Sequence, residues 1–117
     1  MCEVNYDDDV CSVFSETTPR ARKPHRCDGC DAVIPVGTVH VRVFTVFDGD
    51  ASSERECPAC TKARVEFQKE HRFTSTPSSF GDFLETCIDE GEPGVERWIA
   101  MRDAIAARRE AAEAVRA

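Results

Sequence analysis

No apolar run in this 117-residue chain exceeds four residues; "WIAM" at 98–101 and "AIAA" at 104–107 are the longest. A bilayer-spanning helix needs roughly 20, so a membrane span is excluded. The opening "MCEVNYDDDV" has neither a basic start nor an apolar core, so no secretory signal is read there. The expected location is the cytoplasm, where thiols stay reduced. Bases are also in deficit, 15 against 22 acids, for a net charge of −7. Affinity for a phosphate backbone comes from neutralising phosphates, so indiscriminate nucleic-acid binding is not expected. No internal repeat is present, and the only biased stretch is the alanine-rich end.

What charge there is lies unevenly. Residues 1–19 carry five acids and no base, whereas residues 20–47 carry five bases (Arg20, Arg22, Lys23, Arg26, Arg42) against Asp28 and Asp31. These five are the candidate nucleic-acid contacts, and the plainer reading is a solvated basic segment that offsets the acidic start. Residues 73–100 are acidic again, with six acids and Arg97 alone.

Three regions are expected: an extended segment at 1–24, a metal-binding domain at 25–72 and a helical region at 79–117. Pro19 and Pro24 hold the first in an extended path. Alternation in "TVHVRVFTVF", residues 38–47, predicts a strand with Val39, Val41, Val43 and Phe47 on one side. His40, Arg42, Phe44 and Val46 then face the other, with His40 read as an exposed strand residue. "DGD" at 48–50 signals a hairpin into the polar strand "ASSERE". "TKARVEFQKEH" suits a helix, and "HRFTSTPSS" reads as a linker. Phe80, Phe83, Leu84, Cys87 and Ile88 make a helical stripe, with Ser79 as N-cap and Gly91 as stop. Pro93 opens a longer helix with Val95, Trp98, Ile99, Ile105 and Ala106 on its apolar face. Its tail buries little and is expected to fray or to pair with another copy as a homodimer.

Seven cysteines stand out against this background. Cys27, Cys30, Cys57 and Cys60 form two C-x-x-C pairs with 26 residues between them, the pattern of a tetrahedral zinc site. Gly29 and Asp31 supply turn chemistry to the first pair, and Pro58 starts a helix whose first turn holds Cys60. A thioredoxin-like dithiol at "CPAC" would leave Cys27 and Cys30 without a role. A rubredoxin-like iron site is disfavoured by Asp31 and Thr61 where glycines usually follow the cysteine turns. A zinc deaminase lacks its H-x-E segment.

First cysteine turn, hairpin, second cysteine turn and helix, in that order, resemble a treble-clef zinc finger over roughly residues 25–71. More narrowly, "ARKPHRCDGC", "IPVGTVHVRVFTVFDGD" and "CPAC" look like small bacteriophage or prophage proteins with a Lys-Pro-His-x-Cys-x-x-Cys segment. That resemblance implies Cys27, Cys30, Cys57 and Cys60 as ligands of one structural zinc, in an α+β fold. Some treble clefs are H-N-H nucleases; His40 lies in the hairpin, but their other motif residues are absent.

His25 is a candidate to cover the zinc from outside its ligand shell, or is simply exposed. Cys87 reads as a core thiol; Cys2, Cys11 and Cys87 are also the candidates for a second metal site. Trp98 reads as a core anchor, and alternatively as a binding anchor. A closed four-cysteine site is structural. The expectation is therefore a non-enzymatic, zinc-stabilised module that binds a protein partner, such as a phage-type inhibitor of a host complex. Nucleic-acid binding through the basic segment is the alternative, and a metal-dependent nuclease the minor one.

Overall fold

The computed structural model describes residues 11–47, 49–71 and 75–116. Five strands and three helices follow in the order β1 (Cys11–Thr17), β2 (His25–Arg26), β3 (Val33–Ile34), β4 (Val41–Phe47), β5 (Asp50–Glu56), α1 (Pro58–Gln68), α2 (Phe80–Glu90) and α3 (Val95–Arg116). The molecule is thus a mixed α+β fold. The alternating stretch becomes β4, with Val41, Val43 and Thr45 buried. Its start is trimmed relative to expectation. Val39 is 48% exposed, whereas His40 is buried at 2%, because Val39 meets only an isolated bridge to Arg20.

β4 is the middle of a three-stranded antiparallel sheet, β1-β4-β5. β5 follows through a turn in which Gly49 takes φ 79°, a value glycine adopts without steric cost. The strand β1 was not expected. Its residues "CSVFSET" show little apolar alternation, and what makes them a strand is pairing with β4, with Phe14 opposite Thr45 and Thr17 opposite Arg42. Part of the N-terminal segment is therefore built into the sheet. The short β2 and β3 form a separate antiparallel pair, His25 opposite Ile34.

The core has two centres. One holds Ala21, Cys27, Cys30, Ile34, Cys57 and Cys60. The other holds Phe67 from α1, Phe80, Leu84 and Cys87 from α2, and Trp98 from α3. Ile105 packs against both. Trp98 is fully buried, with its ring edge-on to Phe67 at 4.8 Å between centroids. It is a core anchor and offers no face to a partner.

Two helix-end expectations change. Ser79 makes no side-chain cap to α2; its hydroxyl instead accepts from the Thr76 amide at 2.9 Å. Gly91 does close α2, at φ 66° and ψ 35°, donating its N–H to Ile88. Pro93 lies outside α3, which opens after Gly94 at φ 80°. α3 runs unbroken for 22 residues. Its inner line is Trp98, Ile105, Arg108 and Ala112, so Ala106 is left exposed and the tail gains a buried contact at Ala112. On α2 the predicted stripe is narrower than drawn, with Phe83 41% exposed. Among the described residues no helix is long and apolar enough to cross a membrane.

Candidate metal centre

The first cysteine turn is shaped by its own backbone. Asp31 donates its amide to Cys27 O at 2.7 Å, and Cys27 donates to Ala32 O at 2.9 Å. Asp31 closes the turn at φ 64°, a left-handed conformation that aspartate tolerates better than most residues. It therefore adopts the geometry of the glycine that usually follows such turns. At this first turn the missing glycine is therefore no geometric obstacle to iron, whereas Thr61, after the second pair, lies within α1 and does not take the glycine conformation. Gly29 is required for a different reason. A Cβ there would lie 3.2 Å from Cys60 Sγ, tighter than ordinary contact, and 3.5 Å from Cys27 Sγ, so a side chain would press on the sulfur cluster.

The second turn is a helix start. Cys57 is the N-cap of α1, Pro58 follows at the first helical position, and the Cys60 amide donates to Cys57 Sγ at 3.5 Å. The hairpin β4–β5 returns the chain so that Cys57 meets the first turn. The Cys57 amide donates to Cys27 Sγ at 3.3 Å, as does that of Gly29. All four sulfurs lie within 4.8 Å of one another, and all four cysteines are buried and unoxidised. Cys30 and Cys57 Sγ are 3.7 Å apart. Sulfurs about 2.3 Å from a tetrahedral ion are separated by about 3.8 Å, so the donor set is compatible with a metal ion.

Electrostatics point the same way. Sharing of protons with Cys27 first, and then with Cys60, draws the Cys57 thiol down to about 3. Hydrogen bonds with Cys27 and then Cys57, with burial, drive Cys60 upward. Four crowded sulfurs cannot all ionise without a cation between them.

One cation near the sulfurs was not anticipated. Arg108, from α3, donates through Nη2 to Cys60 Sγ at 3.3 Å, and Arg109 Nη2 donates to Gly29 O at 2.5 Å. Nothing local marks these arginines in "AARREAAEAVRA"; they meet the site only because α3 folds back across it. Among the described residues, hydrogen bonds to the four clustered sulfurs come from backbone amides and Arg108, not from His25. His25 instead stands beside His40, 5.8 Å between ring centroids, and desolvation, then the charge of Arg55, holds it below the usual imidazole value.

His40 is engaged at both nitrogens, Nδ1 with Thr38 O at 3.1 Å and Nε2 with Arg55 at 2.7 Å. The expectation of an exposed His40 is thereby corrected. Arg20, Arg22, Lys23 and Arg42 share an open cleft of ≈ 590 Å³ with His25, Thr17, Pro19 and Arg55. Arg26 does not join them. It borders an apolar groove of ≈ 290 Å³ with Ala32, Val33, Arg108, Ala111, Ala112 and Val115. Of the remaining thiols, Cys2 lies outside the described residues, and Cys11 is placed opposite Phe47 in β1. Cys87 is buried in α2, away from the four-cysteine cluster, in the helical core.

The chain matches no known family profile, no curated protein and no solved structure.

Proposed function

We propose that this protein is a non-enzymatic binding module, stapled by one structural zinc per chain in a treble-clef arrangement, whose basic cleft takes a nucleic-acid backbone. The observation that carries the binding reading is the cleft. Arg20, Arg22, Lys23, Arg42 and Arg55 line it with no acid among them, although the chain as a whole is acidic at −7. Arg42 lines the cleft with its Nε lacking a hydrogen-bond partner among the described residues, and its guanidinium can pair with a phosphate. The treble-clef reading is supported by the order of cysteine turn, β4–β5 hairpin and Cys57–Cys60 at the start of α1. Zinc is supported by four thiolates with no open position. Both ring nitrogens of His40 are engaged, which counts against the nuclease reading that would use it as a base.

Fluorescence anisotropy with labelled single-stranded and duplex oligonucleotides at stepped salt tests the binding. Four neutralised phosphates give a log–log salt slope of about −3 to −4. Arg22→Ala and Arg42→Ala each flatten that slope by about one. Absence of binding at low salt removes the nucleic-acid reading.

A protein partner is the second reading, favoured by the apolar groove between β3 and α3. Val33 is 48% and Val115 81% exposed at its edges, in the region through which a homodimer would also form. Chain count by native mass spectrometry, with Val115→Glu as the control, separates a self-pairing groove from one reserved for another protein.

A further inference from the structure

A second convergence of donor atoms lies in the helical half of the molecule. His71 follows the end of α1, Cys87 is in the last turns of α2, and Glu92 is in the connection to α3. One ring nitrogen, the thiol sulfur and a carboxylate oxygen of these three lie within 4.8 Å of one another. We propose that His71, Cys87 and Glu92 form a second metal site, open on one side, for a divalent transition ion such as Zn²⁺ or Co²⁺.

The ring is set up for this role. His71 Nδ1 stands 3.0 Å from Phe67 O, and a carbonyl only accepts, so Nδ1 bears the hydrogen. In a neutral ring Nε2 then presents a lone pair. Fixing the ligand nitrogen by a hydrogen bond from the other nitrogen to a backbone carbonyl is how proteins commonly orient metal-binding histidines. The ring is further held by stacking on Phe67, 4.0 Å between centroids at 11°, and by the edge of Trp98 at 5.5 Å.

Without a metal, Nε2 is hydrogen-bonded to Glu92 Oε1 at 2.8 Å and stands 3.4 Å from Cys87 Sγ; the carboxylate only accepts, so a bound ion takes the place of the proton on Nε2. For a tetrahedral ion the sulfur–nitrogen edge is about 3.6 Å and the nitrogen–oxygen edge about 3.3 Å. The thiol is already at ligand distance, and the carboxylate needs to withdraw by about half an ångström. Glu92 has room to do so, since its side chain is 34% exposed and it follows Gly91 in a connection outside the helices. Its Oε1 is also steadied by Trp98 Nε1 at 3.0 Å.

The site differs from the four-cysteine centre. It has three ligands of three kinds, one side faces water, and the fourth position is left to a water molecule. It is therefore the weaker of the two. It also ties together α1, α2 and the start of α3, so occupancy reinforces the helical core.

The test starts from protein already holding one equivalent of zinc and adds Zn²⁺ or Co²⁺ alone. Native mass spectrometry counts the ions, and cobalt–thiolate absorption reports the sulfur ligand. A second equivalent is expected in the wild type, lost in Cys87→Ser and bound at least 10-fold more weakly in Glu92→Gln. Glu92→Gln keeps an oxygen for Trp98 and retains the helical circular dichroism, so weakened binding there is not a folding defect. Cys57→Ser, by contrast, removes the first ion. Wild-type protein that stops at one equivalent, or a second equivalent unaffected by either helical-core variant, overturns the proposal and leaves these residues as a metal-free hydrogen-bonded cluster.

Discussion

Arg108 shows how much a single side chain contributes to the four-cysteine centre. Four thiolates around a divalent ion carry a net charge of −2, and burial makes that excess costly. The guanidinium on Cys60 Sγ offsets part of it. Loss of groups that hydrogen-bond metal ligands commonly weakens binding 10–100-fold. Arg108→Ala is therefore expected to lower zinc affinity by about 10-fold or more, with Arg108→Lys intermediate because an ammonium lacks the planar fork. Competition against a chromophoric chelator measures both. An unchanged affinity in Arg108→Ala means that the backbone amides alone carry the excess charge.

The sheet and the first helix are joined by one buried ion pair. Glu56 ends β5 and is 1% exposed; Arg64, in α1, is 7% exposed. Arg64 Nε and Nη2 donate to the Glu56 carboxylate at 3.0–3.1 Å. Thr61 Oγ1 adds a hydrogen bond to Glu56 at 2.7 Å, and Glu16 of β1 lies 3.5 Å from Arg64. The pair thus connects three elements that are distant in sequence. Removing one partner strands the other charge in the interior, at about 3–5 kcal/mol. Glu56→Ala in zinc-loaded protein is expected to lose that much in urea denaturation, while Glu56→Leu with Arg64→Met recovers most of it. If the double variant is no better than the single, the hydrogen bonds rather than the stranded charge supply the stability. Sequence reading had placed Glu56 on a polar strand and Arg64 on a helix without joining them. Neither position looks buried by periodicity, because the groups that pair their charges come from other elements.

At the scale of the molecule, the two core centres have different sources of stability. The helical centre buries Phe67, Phe80, Leu84 and Trp98, each large enough to stabilise by a few kcal/mol. The cysteine centre has only Ile34 as a large apolar side chain. A metal ion held by its four cysteines would supply what apolar burial does not, on the order of 10 kcal/mol in small fingers. Chelation under reducing conditions is therefore expected to abolish or sharply lower the cooperative thermal transition followed by circular dichroism, with recovery on adding zinc. Because ligand thiols must lose protons to bind, the chelator requirement falls as the pH is lowered. A transition unmoved by chelation assigns the stability to the helical centre alone.

The sequence by itself determined whatever depends on neighbours along the chain. The two cysteine turns, the helix start at Pro58, the central strand and the apolar stripes on α2 and α3 rest on spacings of two to four residues. Backbone geometry converts those spacings directly into shape. Only the tertiary structure decided which distant groups meet. It recruited β1 to the sheet, buried His40 against Arg55 and sent Arg108 to Cys60. It also gathered five cations into one cleft and brought His71 and Glu92 to Cys87. Each of these contacts exists because the hairpin and the return of α3 carry remote segments together. Local periodicity contains no term for that closure.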